Sequence, residues 1–139
     1  MRKISLFLLL LCTLTLFACS SSNTGMVLLD DIDSISISES QGYGGLNENY
    51  LKTYDEPEII EVFEDIIKNA KETNQVVSKS KPDYDIYILY KNGGTHGLHL
   101  IIEEENSMLM YIGHDNIFHV SIEDAKVLIS MTDGITNYD

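Results

Sequence analysis

The sequence predicts an α+β domain: a mainly antiparallel sheet of four to five strands with two helices packed on one face, a two-layer sandwich. Three observations lead there. Two segments carry apolar residues at helical spacing, several others alternate or run in β-branched and aromatic residues, and the connections among the late strands are too short for anything but antiparallel pairing. The 139 residues give room for one domain of ordinary size and no second.

The chain opens with a leader over residues 1–18: basic Arg2-Lys3, an apolar stretch from Ile4 to Phe17, and small Ala18 before Cys19. These are the parts of a signal peptide in their export order. At ~1.5 Å per residue the apolar stretch spans about 21 Å, short of the ~30 Å hydrocarbon core, so a permanent transmembrane helix is disfavoured. The segment Leu16-Phe17-Ala18-Cys19 resembles the lipobox of bacterial lipoproteins. That resemblance implies cleavage between Ala18 and Cys19 and two acyl chains on Cys19, enough for stable anchoring. Residues 19–25 then read as the lipidated cysteine and a polar, flexible tether, 26–134 as the domain, and 135–139 as a tail.

Within the domain, Ile35 and Ile37 alternate with Ser34, Ser36 and Ser38, a half-buried strand beginning near Val27 or Ile32. Gly42, Gly44 and Gly45 end it in a turn that lacks the G-K-[ST] of a phosphate cradle. Asp55-Glu56-Pro57-Glu58 opens the clearest helix, with Asp55 read as N-cap and Glu58 as the partner in a capping box. Ile59, Ile60, Phe63, Ile66, Ile67 and Ala70 form its core stripe, and acids precede lysines as the macrodipole prefers. Tyr84–Tyr90 reads as a central strand, bounded by Pro82 and by Asn92-Gly93-Gly94. Gly97–Glu103 and Met108–Ile112 form a hairpin, and Ile117–Val120 a further short strand. Ser121 caps the last helix, with Asp124 at N3 and Gly134 as its stop.

Composition excludes several function classes. Both cysteines, Cys12 and Cys19, lie at or before the processing site, so the mature domain has no disulfide, thiolate metal site or cysteine nucleophile. Loss of Arg2 and Lys3 takes the formal net charge from −13 to −15. Such a domain is repelled by nucleic acid and by anionic headgroups.

Four histidines, His96, His99, His114 and His119, are the cluster that metal or ligand chemistry would use. His96 and His99 are three apart, a spacing that on one strand points to opposite faces, which His96 escapes only if it lies in the glycine turn; no metal site is assigned. No G-x-S-x-G, H-E-x-x-H or S-x-x-K positions a hydrolytic nucleophile, and no catalytic residue is assigned. Asp30-Asp31-Ile32-Asp33 lacks the glycine and distal glutamate of a calcium loop. Among eight tyrosines, Tyr87 has opposite parity to Tyr84 and Tyr90, and Tyr87 with Tyr111 is expected to form a patch on the face away from the helices.

Ile35-Ser36-Ile37-Ser38 with the Gly42–Gly45 turn, Leu51-Lys52-Thr53-Tyr54, Pro82-Asp83-Tyr84-Asp85 and His96-Gly97-Leu98-His99-Leu100 together resemble the YhfM-like domain of small lipoproteins from Bacillus and its relatives. The resemblance spans Asp33 to Met131. It implies a Gram-positive membrane anchor and an α+β domain, and no activity or site residues.

The expected role is therefore an anchored, non-enzymatic binding or interaction module on the extracytoplasmic side of the cell membrane. Its partner would be an envelope protein or ligand; no cofactor, nucleic acid or self-association is expected. The alternative is a metal- or small-ligand-binding lipoprotein using histidines of the late strands, and the third reading is a small cell-envelope hydrolase.

Overall fold

The computed structural model describes residues 25–133. The leader, Cys19, most of the tether, the expected stop at Gly134 and the tail lie outside them. The elements run β1 (Ile32–Glu39), β2 (Lys52–Tyr54), α1 (Pro57–Asn69), β3 (Lys71–Thr73), β4 (Tyr84–Tyr90), β5 (Thr95–Ile101), β6 (Met108–Tyr111), β7 (Ile117–His119) and α2 (Ile122–Thr132). All strands join one antiparallel sheet in the order β2-β1-β4-β5-β6-β7-β3.

Seven strands replace the expected four to five. The two unforeseen ones, β2 and β3, are three residues each and flank α1. Lys52-Thr53-Tyr54 and Lys71-Glu72-Thr73 are too short and too polar for any period to show. They form because pairing with β1 and β7 satisfies their backbone, and short charged strands at both edges discourage pairing with other chains.

Alternation divides the sheet into two faces. On one, Ile35 and Ile37 meet Ile88 and Ile86, which in turn meet His96 and Leu98. Tyr54, Tyr90, Leu100, Leu109 and Phe118 complete that face, and the buried residues of both helices close on it: Phe63, Ile66, Ile67 and Ala70 beside α1, Ala125, Leu128 and Met131 from α2. Phe63, Ile35, Ile86, Leu98 and Leu109 are fully buried. The Tyr54 hydroxyl donates to the Met131 carbonyl at 2.8 Å, tying β2 to the end of α2. Turn chemistry follows the sequence: Gly93 and Gly113 adopt φ of +87° and +85°, a region that L side chains avoid.

The capping expectations divide. Ser121 accepts the Asp124 amide proton at 3.1 Å as anticipated. At α1 the N-cap is Glu56, not Asp55, and no side chain caps it. The reason is Pro57: proline sits at N1 and holds the residue before it extended, so that residue takes the cap position. Among the described residues no helix is long and apolar enough to cross a membrane.

Candidate functional site

Residues 25–29 form a strap along the rim of the core face. Gly25 bridges to Lys71 of β3, where an added Cβ would stand 3.3 Å from the Lys68 carbonyl. Met26 is buried and Leu28 packs on the core, while Val27 and Leu29 stay exposed. Tyr111 clamps the strap through its hydroxyl, which accepts from the Val27 N–H at 2.9 Å and donates to the Val27 carbonyl at 2.8 Å.

Between this strap and the ends of β5, β6 and β7 lies an open groove of about 310 Å³, lined by Gly25, Val27, Leu29, His96, Tyr111, His114 and Phe118. Its walls are aromatic rings meeting edge to face. His96 lies 5.0 Å from Tyr111, His114 6.0 Å and Phe118 5.8 Å from the same ring. Register explains the grouping: Tyr111 pairs with Leu98, next on its face to His96, and Phe118 belongs to the same face through Leu109. Gly113 turns the chain so that His114 folds back over Tyr111.

The electrostatics favour neutral groups. Burial pushes His96 below the ordinary histidine value, and the neighbouring His114 adds to that. Burial raises Tyr111 and Tyr90, partly offset by backbone hydrogen bonds from Val27 and Leu29 respectively. The Tyr90 hydroxyl lies 2.8 Å from His96 Nδ1. That contact engages Nδ1 and leaves Nε2 as the ring nitrogen that can meet a ligand. The groove thus combines apolar walls with an imidazole nitrogen able to hydrogen-bond, the make-up of a small-molecule site.

The sequence-derived candidates are not all brought together. His96, His114 and Tyr111 meet in the groove; His99 and His119 do not. His99 lies on the opposite face against Asp85, and His119 at β7 makes only a 3.5 Å approach to the Glu105 carbonyl. Among the described residues no three His, Cys, Asp or Glu side chains converge as metal ligands. Tyr87 and Tyr111 do not share a patch. Tyr87 faces away from the helices, stacked 5.6 Å from Tyr50, whereas Tyr111 is on the core face. Parity within one strand gave the face of Tyr87 relative to its neighbours, but the face of Tyr111 depends on register across β5, which no single-strand pattern contains. Phe118 was missed for the same reason, and Val27 and Leu29 because the strap is placed by contacts with Lys71 and Tyr111 far along the chain.

A family model described as YhfM protein matches residues 30–137. The chain belongs to the YhfM family. No curated protein matches this YhfM member. Among solved structures, it is similar to a thioesterase-like protein from Clostridium sporogenes ATCC 15579, with a TM-score of 0.60 and 13% identity over 74% of this chain and 95% of that one. At that identity the likeness concerns fold alone. The fold, a seven-stranded antiparallel sheet with two helices similar to that protein's, replaces the four-to-five-strand sandwich expected from the sequence.

Proposed function

We propose that this member of the YhfM family is a lipid-anchored, extracytoplasmic, non-enzymatic binding module whose ligand site is the His96–Tyr111–His114–Phe118 groove. One observation carries the reading: one wall of the groove is the strap whose first residue, Gly25, lies six residues after Cys19. The site is thereby held next to the membrane, where anchoring raises its effective concentration toward other surface molecules. Apolar walls and one imidazole nitrogen suit a ligand with an aromatic or aliphatic body and one hydrogen-bonding group; with the ring proton on Nε2 that group is an acceptor, such as a carbonyl.

Nuclear magnetic resonance of the full chain in detergent, titrated with acetophenone as the aromatic carbonyl probe, tests the site. Shift changes should concentrate at Val27, His96, Tyr111 and His114, and His114→Ala should weaken binding severalfold by opening one wall. Changes scattered over the surface would remove the groove as the site. The neighbour's name suggests a second reading, acyl-thioester hydrolysis. Release of thiol from an acyl-N-acetylcysteamine above the uncatalysed rate, abolished in His96→Gln, would replace the non-enzymatic reading with that one.

A further inference from the structure

The sheet face away from the helices holds a second buried group of side chains, separate from the main core. Ile101 and Met108 are buried there, and neither belongs to the cluster under the helices. Register sets their neighbours. His99 stands opposite Met110 and Ile101 opposite Met108 across β5 and β6, so His99 and both methionines share one face, with Met108 diagonal to His99. Directly opposite Cβ atoms lie about 4.5–5.5 Å apart and diagonal positions about 7–8 Å, separations that an unbranched thioether side chain spans.

His99 is 1% exposed, yet one of its two nitrogens is idle. Nδ1 lies 2.8 Å from Asp85 Oδ1, and Asp85 Oδ2 accepts the Asn47 N–H at 2.8 Å. A carboxylate placed between two nitrogens accepts from both, which puts the ring proton on Nδ1. Nε2 then keeps its lone pair, buried and without a hydrogen-bond partner among the described residues. Leaving such a nitrogen unsatisfied is costly, and native structures do so where it has a ligand to meet.

A carboxylate behind the ring is also what a metal-binding histidine carries: it fixes tautomer and orientation and raises the basicity of the far nitrogen. The donors around that nitrogen decide which ion fits. Asp85 is spent on its two N–H groups, and His119, the next imidazole on this face, approaches the Glu105 carbonyl instead. What remains is neutral and soft, one imidazole nitrogen and two thioether sulfurs. Calcium and magnesium require oxygen ligands, and zinc draws its four from cysteine, histidine and carboxylate, whereas thioethers select Cu(I).

We propose that His99 Nε2 and the thioethers of Met110 and Met108 form a binding site for one Cu(I) ion on the back face of the sheet. Met110 is the half-buried member, so the ion meets its sulfur first from solvent and passes on to the imidazole. The Tyr43 ring, edge-on to His99 at 5.7 Å, adds an apolar wall. Binding displaces no proton, because Nε2 carries none, and the formal net charge of −13 favours a cation. The site lies across the sheet from the His96 groove and does not depend on what that groove binds.

Nitrogen NMR of the histidine side chains in the full chain in detergent, titrated with Ag(I) as the redox-inert probe for Cu(I), tests the site. At one equivalent the His99 Nε2 resonance should move strongly upfield while Nδ1 keeps its proton, and the Met110 methyl signal should move with it. Because the readout is resolved by residue, silver held at His96 or His114 does not count toward it. Met110→Leu, which keeps the volume, should weaken the His99 response at least about tenfold in Ag(I) concentration, no less than the loss of an outer-shell partner costs. Met131→Leu in α2 should leave it unchanged, and Zn(II) at the same concentration should not move His99. The proposal is overturned if His99 Nε2 stays in place at saturating Ag(I), if Met110→Leu responds as the wild type does, or if Zn(II) shifts the same resonance equally.

Discussion

Burial at His96 sets the charge of a single side chain and, through it, a pH dependence of stability. Its folded-state value lies below the ordinary 6.5, first because burial disfavours the imidazolium and then because His114 is near. The unfolded chain therefore takes up a proton at the ordinary value while the folded chain resists. The stability contributed by keeping His96 neutral is complete above that ordinary value and drains away as pH falls through it toward the folded one. Urea titrations of wild type and His96→Gln at about pH 8 and about pH 5 measure this: the loss on acidification should be smaller in the variant, and equal losses would show that His96 is not the group responsible. At this scale the sequence showed that Tyr87 opposes Tyr84 and Tyr90, because that depends only on period two along one strand, whereas it did not decide between strand and glycine turn for His96, which the start of β5 at Thr95 places in the strand. It could not show that Asp85 would meet His99, since that pairing needs the register of β4 on β5. The one local sign was an aspartate inside the otherwise apolar and aromatic run Tyr84–Tyr90.

The two helices start in different ways, and the difference sets what substitution can gain or lose. Ser121 accepts the Asp124 amide proton, so Ser121→Ala should cost about 1 kcal/mol, the usual effect of removing such a cap. Glu56 holds an extended cap conformation, φ −71° and ψ 127°, but its side chain caps nothing. Glu56→Ser should then stabilise α1 by about 0.5–1 kcal/mol, the reverse of the Ser121 effect, because the shorter hydroxyl reaches the N2 or N3 amide. Equilibrium urea unfolding of both variants checks the pair of signs; destabilisation by Glu56→Ser would show that its carboxylate, which accepts the Asp55 N–H at 3.3 Å, matters more than the missing cap. Helices and long strands were legible because their periods repeat over many residues, as in α1 with its buried Phe63, Ile66 and Ile67. Edge strands β2 and β3 were not, since three residues hold less than two full alternations and their pairing is set by distant partners.

For the whole molecule, the charge of the domain bears directly on the proposed anchor. A formal net charge of −13 in the full chain, or −15 without Arg2 and Lys3, opposes adsorption to anionic leaflets. The few exposed apolar side chains at the strap, Val27 and Leu29, offer little area to bury against that repulsion. On the proposed reading attachment comes from acyl chains on Cys19, each buried methylene contributing about 0.8 kcal/mol, which adds up to firm retention only when two chains are present. The proposal therefore predicts two separable behaviours. Wild-type protein should stay with the membrane fraction in high salt, because hydrocarbon burial is not screened, and should leave it only with detergent. Cys19→Ala should lose stable retention after cleavage or, if cleavage is blocked, be held by the uncleaved apolar leader, with mass spectrometry distinguishing the two forms. A Cys19→Ala product that is processed and still sediments quantitatively with membranes would mean that some surface of the folded domain holds it there, and the acidic globule would need a basic partner embedded in the bilayer.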